Sequence, residues 1–258
     1  MPYADLHVHT TRSDGSLAPD AIPDAAERAD LEVVAITDHD VLPPFEEPVV
    51  DRGGVSLIGG IELRVEPEDG ERVDLLGYGV RRTGDLAAAV ERIQANRLER
   101  GRAIVERVED HLGVDLDVAV DDGFGRPHVA RAVDAHPDVD LGYEGAFDEL
   151  IGDGGPCFVP REVPSFERGR RLLAEACELV SLAHPLRYRE PAAALELAAE
   201  LDAVELAYPY GREADRTPVE RTIATHDLLA TGGSDAHDER LGLAGLDRDA
   251  YRRLSLSG

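Results

Sequence analysis

Lysine is missing from this chain of 258 residues: all 27 basic residues are arginines, set against 53 aspartates and glutamates. Without a lysine amine, neither Schiff-base chemistry nor a phosphate loop of the Walker type can operate. Cysteine is scarce as well. Cys157 and Cys177 make no CxxC pair and no disulfide framework. Cys177, in LLAEACELV, reads as core, whereas Cys157, in GGPCFV, is ambiguous. No apolar run approaches the roughly 18 residues of a membrane span, and no basic start leads into an apolar stretch as in a signal peptide. A cytoplasmic protein without membrane contact is expected. The lack of a basic face disfavours binding to nucleic-acid duplexes, since phosphate contacts need one. A single-stranded end entering a buried site is compatible with this composition.

What the chain has in excess is negative charge, a net of -26 spread along its whole length. Such a surface suits a halophilic cytoplasm, where charges are screened within about 3 Å at 1 M salt. A basic partner is the competing explanation, but the acids form no single tail.

Short β-rich runs alternate with amphipathic helical ones, the pattern of βα units around a parallel sheet. Seven stretches read as strands: ADLHVH, EVVAIT, VSLIGGIEL, RVDLLGYGV, ELVSLAH, AVELAY and LLATGG. Helices are expected at PDAIPDAAERAD, REPAAALELAAELD and GREADRTPVERTIATHD. Between the fourth and fifth strands the rhythm changes. GDLAAAVERIQANRLERGRAIVERVEDHLG carries Ile93, Leu98, Ile104, Val105 and Val108 at helical spacing and stops at Gly113, where a capping glycine belongs. Shorter helical pieces follow at 127–134 and 144–151. The expected fold is therefore α/β: a βα barrel from residues 1–82 and 160–258, with 83–159 as a helical insertion.

The histidines are the most informative residues. His7 and His9 share one side of an extended strand. Taken alone, that pair is better explained by ordinary solvent exposure than by a metal, since exposed same-face pairs need no cause. Yet His39 ends the second strand, His184 the fifth, and His237 follows the seventh, so five of the nine histidines would meet at one barrel mouth, where such folds keep their chemistry. Asp14, Glu62 and Asp235 join them, with Glu62 expected at the end of the third strand. Imidazoles and carboxylates gathered there are an ordinary ligand set for two or three divalent ions. His111, His136 and His226 lie away from strand exits and receive no role.

With these residues in place the chain resembles the polymerase and histidinol phosphatase (PHP) family of metal-dependent phosphoesterases. DLHVHT with SDGS, ITDHD, GIEL, LAHP and GGSDAH match its motifs in order over essentially the whole length. RLERGRAIVERV, GRPHVARAV and AFDELIGDGGPCFVP are similar to the subgroup labelled TrpH-like, which contains nucleotide-bisphosphate phosphatases and 5'-to-3' exoribonucleases acting on short RNA. The resemblance implies a distorted seven-stranded, TIM-like βα barrel holding up to three metals. One ion would be held by His7, His9, Glu62 and Asp235, and another by Asp14, His39 and His237. Glu62 would bridge to a third, which His184 helps to bind. Where relatives usually have His before LLGY, this sequence has Asp74, a hard ligand that favours Mn²⁺ or Mg²⁺ over Zn²⁺. Iron is a further candidate.

The chemistry so implied is attack on phosphorus by a water that two close cations ionise, with Glu62 central to their placement. Arg126 and His128, with Arg97 and Arg100 behind them, are candidate contacts for a second phosphate, and His128 a candidate acid for the leaving oxygen. The same arginines also suit surface ion pairs. A small phosphorylated substrate, either a nucleotide or a short single-stranded RNA end, and a monomer are expected. Histidinol phosphate, a C–N bond, or binding without catalysis are the rival readings.

Overall fold

All seven β-rich stretches form strands, and an eighth joins them. The structure, a computed structural model, describes residues 1–121, 124–211 and 213–256. Its strands are β1 (Ala4–Val8), β2 (Val33–Ile36), β3 (Val49–Arg52), β4 (Val55–Val65), β5 (Val73–Tyr78), β6 (Leu179–Leu182), β7 (Ala203–Ala207) and β8 (Leu229–Gly232). They form a curled, half-barrel sheet in the order β1-β2-β4-β5-β6-β7-β8, with β3 paired to β4 off this path. Every residue of β1, β2, β5 and β6 is buried, as expected of strands covered on both faces.

The sheet is not uniformly parallel, contrary to the sequence expectation. β1, β2 and β4 run parallel, as do β6, β7 and β8, but β5 is antiparallel to both its neighbours. Only residues 66–72 separate β4 from β5, too few for the crossover that a parallel pair requires. The extra strand β3 is the first arm of a hairpin with β4, turned at Gly53 and Gly54. Their φ values of 65° and 91° belong to the left-handed region that such tight turns demand.

The helices are α1 (Ile22–Arg28), α2 (Gly84–Leu112), α3 (Arg126–Ala135), α4 (Tyr143–Ala146), α5 (Phe166–Ala176), α6 (Pro191–Leu197), α7 (Thr217–His226) and α8 (Arg248–Arg253). In α5, Phe166, Leu172, Leu173 and Ala176 form the buried stripe, and the Ser165 hydroxyl caps the start by accepting from the Arg168 N–H. Helix α7 begins later than its sequence suggested, and Arg212 of that expected stretch lies outside the described residues.

The chain divides into two compact units, Met1–Val90 with Val163–Gly258, and Glu91–Glu162. The first is organised around the sheet, with Leu6, Ile58, Leu76 and Tyr78 in one apolar cluster and Val8, Ile22, Val34 and Leu57 in another. The second has its own core of Ile104, Val108, Phe124, Val129, Val133, Leu150 and Ile151. Leu98, expected at a core position of the long helix, is only half-buried. No helix among the described residues is long and apolar enough to cross a membrane.

Candidate metal centre

Strand β1 and the loop after β8 build the floor of the site together. The His9 N–H donates to the Ala236 carbonyl at 2.9 Å and the Ala236 N–H to the His7 carbonyl at 3.2 Å, which fastens the segment bearing Asp235 and His237 beside the two histidines. Gly233 permits this approach: a Cβ there would lie 2.3 Å from the His7 nitrogen. Buried Asp5 ties the same loop down, accepting from Ser234 N at 2.8 Å, Ser234 Oγ at 2.5 Å and Gly242 N at 2.8 Å. Asp38 does likewise for the turn that carries Asp14, accepting from Thr10 N, Thr10 Oγ1 and Ser13 Oγ, each at 2.7 Å. His184 and Asp235 sit at φ of 27° and 51°, a left-handed backbone that non-glycine residues hold only when their surroundings impose it. Glu62 is interior to β4, which continues to Val65, not at the strand's end as expected; it lies beside His39 through a backbone bridge.

The donor atoms converge. His7 Nε2 lies 3.4 Å from both Glu62 Oε2 and Asp235 Oδ1, and His9 Nε2 lies 3.3 and 3.1 Å from the same two oxygens. Donors about 2.1 Å from one divalent ion would stand roughly 3.0–3.4 Å apart, which matches these nitrogen-to-oxygen spacings. His7, His9 and Glu62 form one close group of donors, and His7, His184 and Asp235 another. Next to them, His9, Asp14, His39 and His237 offer donor atoms that all lie within 4.8 Å of one another. Here His237 Nε2 is 3.3 Å and His39 Nε2 3.8 Å from the Asp14 carboxylate. Glu62, Asp74 and His184 form a further group, with His184 Nε2 at 3.0 Å from Glu62 Oε1 and 3.8 Å from Asp74 Oδ2.

The unmet bonding of these atoms also points to cations. His7 Nε2, both ring nitrogens of His9, Glu62 Oε2 and His184 Nδ1 are buried without a hydrogen-bond partner. Burying polar atoms unpaired costs about 1–3 kcal/mol each, and a cluster of them in one place needs a ligand to offset it. His39 Nδ1 approaches Glu62 Oε2 to 2.9 Å but outside hydrogen-bond alignment.

Mutual charge sets the protonation of the site. Burial pushes the Glu62 carboxyl up, but His39, His7 and His184 outweigh it and hold it well below the usual range. Asp14 and Asp235 are likewise driven up by burial yet end low, through His237 and His39 for the first and His9 and His7 for the second. Burial lowers His39, and the charges of Glu62 and Asp14 then raise it to about 9. For His9 burial prevails over Asp235 and Glu62, so this imidazole is lowered toward the neutral form that binds metals.

Beyond Asp5, Asp38 and Gly233, four more supporting residues escaped the sequence reading. Glu205, fully buried in β7, accepts from His7 Nδ1–H at 3.0 Å and from the His184 backbone N–H at 2.7 Å. It thereby fixes the tautomer that turns His7 Nε2 into the site. Asp235 Oδ2 accepts from Arg187 Nη1 at 2.8 Å and from the Tyr208 hydroxyl at 2.7 Å. Arg64 forks onto Asp74 through Nε at 2.7 Å and Nη2 at 2.6 Å. Arg64 and Arg187 line one cavity of about 390 Å³ together with His39, Glu62, Asp74 and Asp235.

The remaining expected site residues lie in the Glu91–Glu162 unit. Arg97 Nε donates to the Phe124 carbonyl at 2.9 Å, Arg100 Nε to the Val159 carbonyl at 2.7 Å, and Arg126 Nη1 to Asp153 at 2.9 Å. Exposed His128 stacks on Phe124 and accepts from the Gly125 N–H through Nδ1 at 3.1 Å. Each of the three arginines is thus engaged within its own unit.

The PHP domain model matches residues 5–78. The phosphoribosyl 1,2-cyclic phosphate 1,2-diphosphodiesterase of Eggerthella lenta is 29% identical over 90% of this chain and 93% of its own. The 5'-3' exoribonuclease Rnm of Escherichia coli is 30% identical over 90% of this chain and 84% of its own. A crystal structure from Bifidobacterium adolescentis, named as a predicted metal-dependent phosphoesterase, matches with a TM-score of 0.73 and 26% identity, covering 97% of this chain and 94% of that one. With its motifs, its curled sheet and its converging donors, this chain belongs to the PHP family of metal-dependent phosphoesterases.

Proposed function

We propose that this protein hydrolyses phosphate esters of nucleotides, acting on 3',5'-nucleoside bisphosphates or on the 5' end of short single-stranded RNA. The observation that carries the reading is the convergence of His7 Nε2 and His9 Nε2 on Glu62 Oε2 and Asp235 Oδ1, each nitrogen 3.1–3.4 Å from each oxygen, with His7, His9 and Glu62 grouped closely enough to share an ion. Divalent ions held there and by Asp14, His39 and His237 would supply Lewis acidity toward phosphate oxygens and water of lowered pKa.

The protein's own groups do the positioning. Glu205 keeps His7 aimed inward, while Glu62 faces His7, His9 and His39 with Oε2 and His184 with Oε1. Arg187, braced on Asp235 and Tyr208, puts a fixed positive charge at the cavity wall, suited to orienting a phosphate oxygen. A cavity carrying arginines and cations answers the objection that a chain of net charge -26 should repel phosphates: capture is local, not steered from afar.

The test is a substrate panel run with chelator-treated and Mn²⁺-reloaded protein, spanning nucleoside bisphosphates, 5'-phosphorylated oligoribonucleotides, a ribose cyclic phosphate, histidinol phosphate and cyclic amides. Metal-dependent phosphate or mononucleotide release from the first two is expected. Turnover of cyclic amides alone, or of histidinol phosphate alone, would contradict the proposal.

A further inference from the structure

Of the donor groups in the site, the one made by Glu62, Asp74 and His184 differs from the rest in a way that bears on how many ions the centre takes. Here as in the other groups a buried donor, His184 Nδ1, has no hydrogen-bond partner; the difference lies at Asp74. Both Asp74 oxygens, by contrast, already accept from Arg64, and Glu62 Oε1 already pairs with His184 Nε2. The pairing is built into the sheet. In the antiparallel register of β4 and β5, Arg64 stands directly opposite Asp74, two residues along the same strand from Glu62. A guanidinium keeps its charge at any pH the fold survives, and its fork matches a carboxylate in two parallel bonds. A divalent ion beside it would have to share Asp74 with a fixed positive charge that repels it, so that Asp74 neutralises the ion only in part.

We propose that the Arg64 guanidinium, forked onto Asp74, takes the place of a third divalent cation, so that the centre loads two metal ions and Arg64 supplies the remaining positive charge to substrate phosphate. The inference rests on the phosphoesterase reading above and deepens it. Asp74 is 1% exposed and anchors the pair through Nε and Nη2 of Arg64, while Arg64 is 40% exposed and lines the cavity together with His39, Glu62 and Arg187. Arg64 can therefore hold Asp74 and reach a phosphate oxygen at the same time.

The experiment is elemental analysis of the full chain after Mn²⁺ loading and desalting, for wild type, Arg64→Ala, Arg64→Gln and Arg64→Ala/Asp74→Ala, each checked for folding by a thermal melt. Two ions per wild-type chain, three in Arg64→Ala and Arg64→Gln, and two again in the double variant are expected. Added Mn²⁺ should also raise the melting temperature of Arg64→Ala more than that of wild type, since the third ion neutralises a buried carboxylate left unpaired. Three ions in wild type, or a count unchanged by removing Arg64, would overturn this inference while leaving the phosphoesterase reading intact. A wild-type protein that takes up no divalent ion would overturn both.

Discussion

Glu205 does not line the cavity, yet it holds the orientation of two candidate ligands, His7 and His184. Glu205→Gln keeps the shape but removes the charge that fixes the His7 tautomer; Mn²⁺ affinity should fall about 10- to 100-fold, read by competition with a chelating dye. Unchanged affinity would reduce Glu205 to a packing residue. The imidazoles and acids at strand exits were legible in the sequence because a strand's side-chain period and its exit point are local facts. Glu205 left a fainter trace, a lone carboxylate inside the apolar run AVELA. Arg187 left none, since its meaning depends on Asp235, which only the folded sheet brings to 2.8 Å. Arg64 gave an intermediate case: its partner Asp74 was noticed as a departure, but their pairing follows from an antiparallel register that was not foreseen.

At the scale of elements, connection length explains what the sequence reading missed. Strand β5 was expected to be parallel, although residues 66–72 are too short a link, and β3 was passed over although its Gly-Gly hairpin turn is printed between two β-branched runs. The loop after β8 meets β1 in a tight joint. Gly233→Ala would press a methyl group into His7 and should cost about 1–3 kcal/mol or more in a urea melt, with loss of bound metal. A variant as stable as wild type would show that this joint can yield. The cap of α5 offers a milder test: Ser165→Ala should cost about 1 kcal/mol and leave metal content unchanged. Cys177, at the end of that helix, is pushed up to about 12 by burial and by Asp202, and Cys157 is also raised by burial. Neither thiol should react with an alkylating reagent at pH 8 until the chain unfolds, and rapid native labelling at Cys177 would place it at the surface.

For the whole molecule, 53 acids and no lysine make self-repulsion the dominant long-range force. We propose that the fold is adapted to high salt; its melting temperature should rise by on the order of 10 °C between 0.1 and 2 M KCl as that repulsion is screened. A flat or falling profile would remove the halophilic reading without touching the site. The account as a whole stands on a narrower point, that strands far apart in sequence deliver His7, His9, His39, Glu62, Asp235 and His237 to hold cations side by side. Low-temperature electron paramagnetic resonance of the Mn²⁺-loaded protein tests this most directly. An exchange-coupled manganese pair, abolished in Glu62→Gln, is predicted; a spectrum of isolated ions only, or no bound manganese, would contradict it.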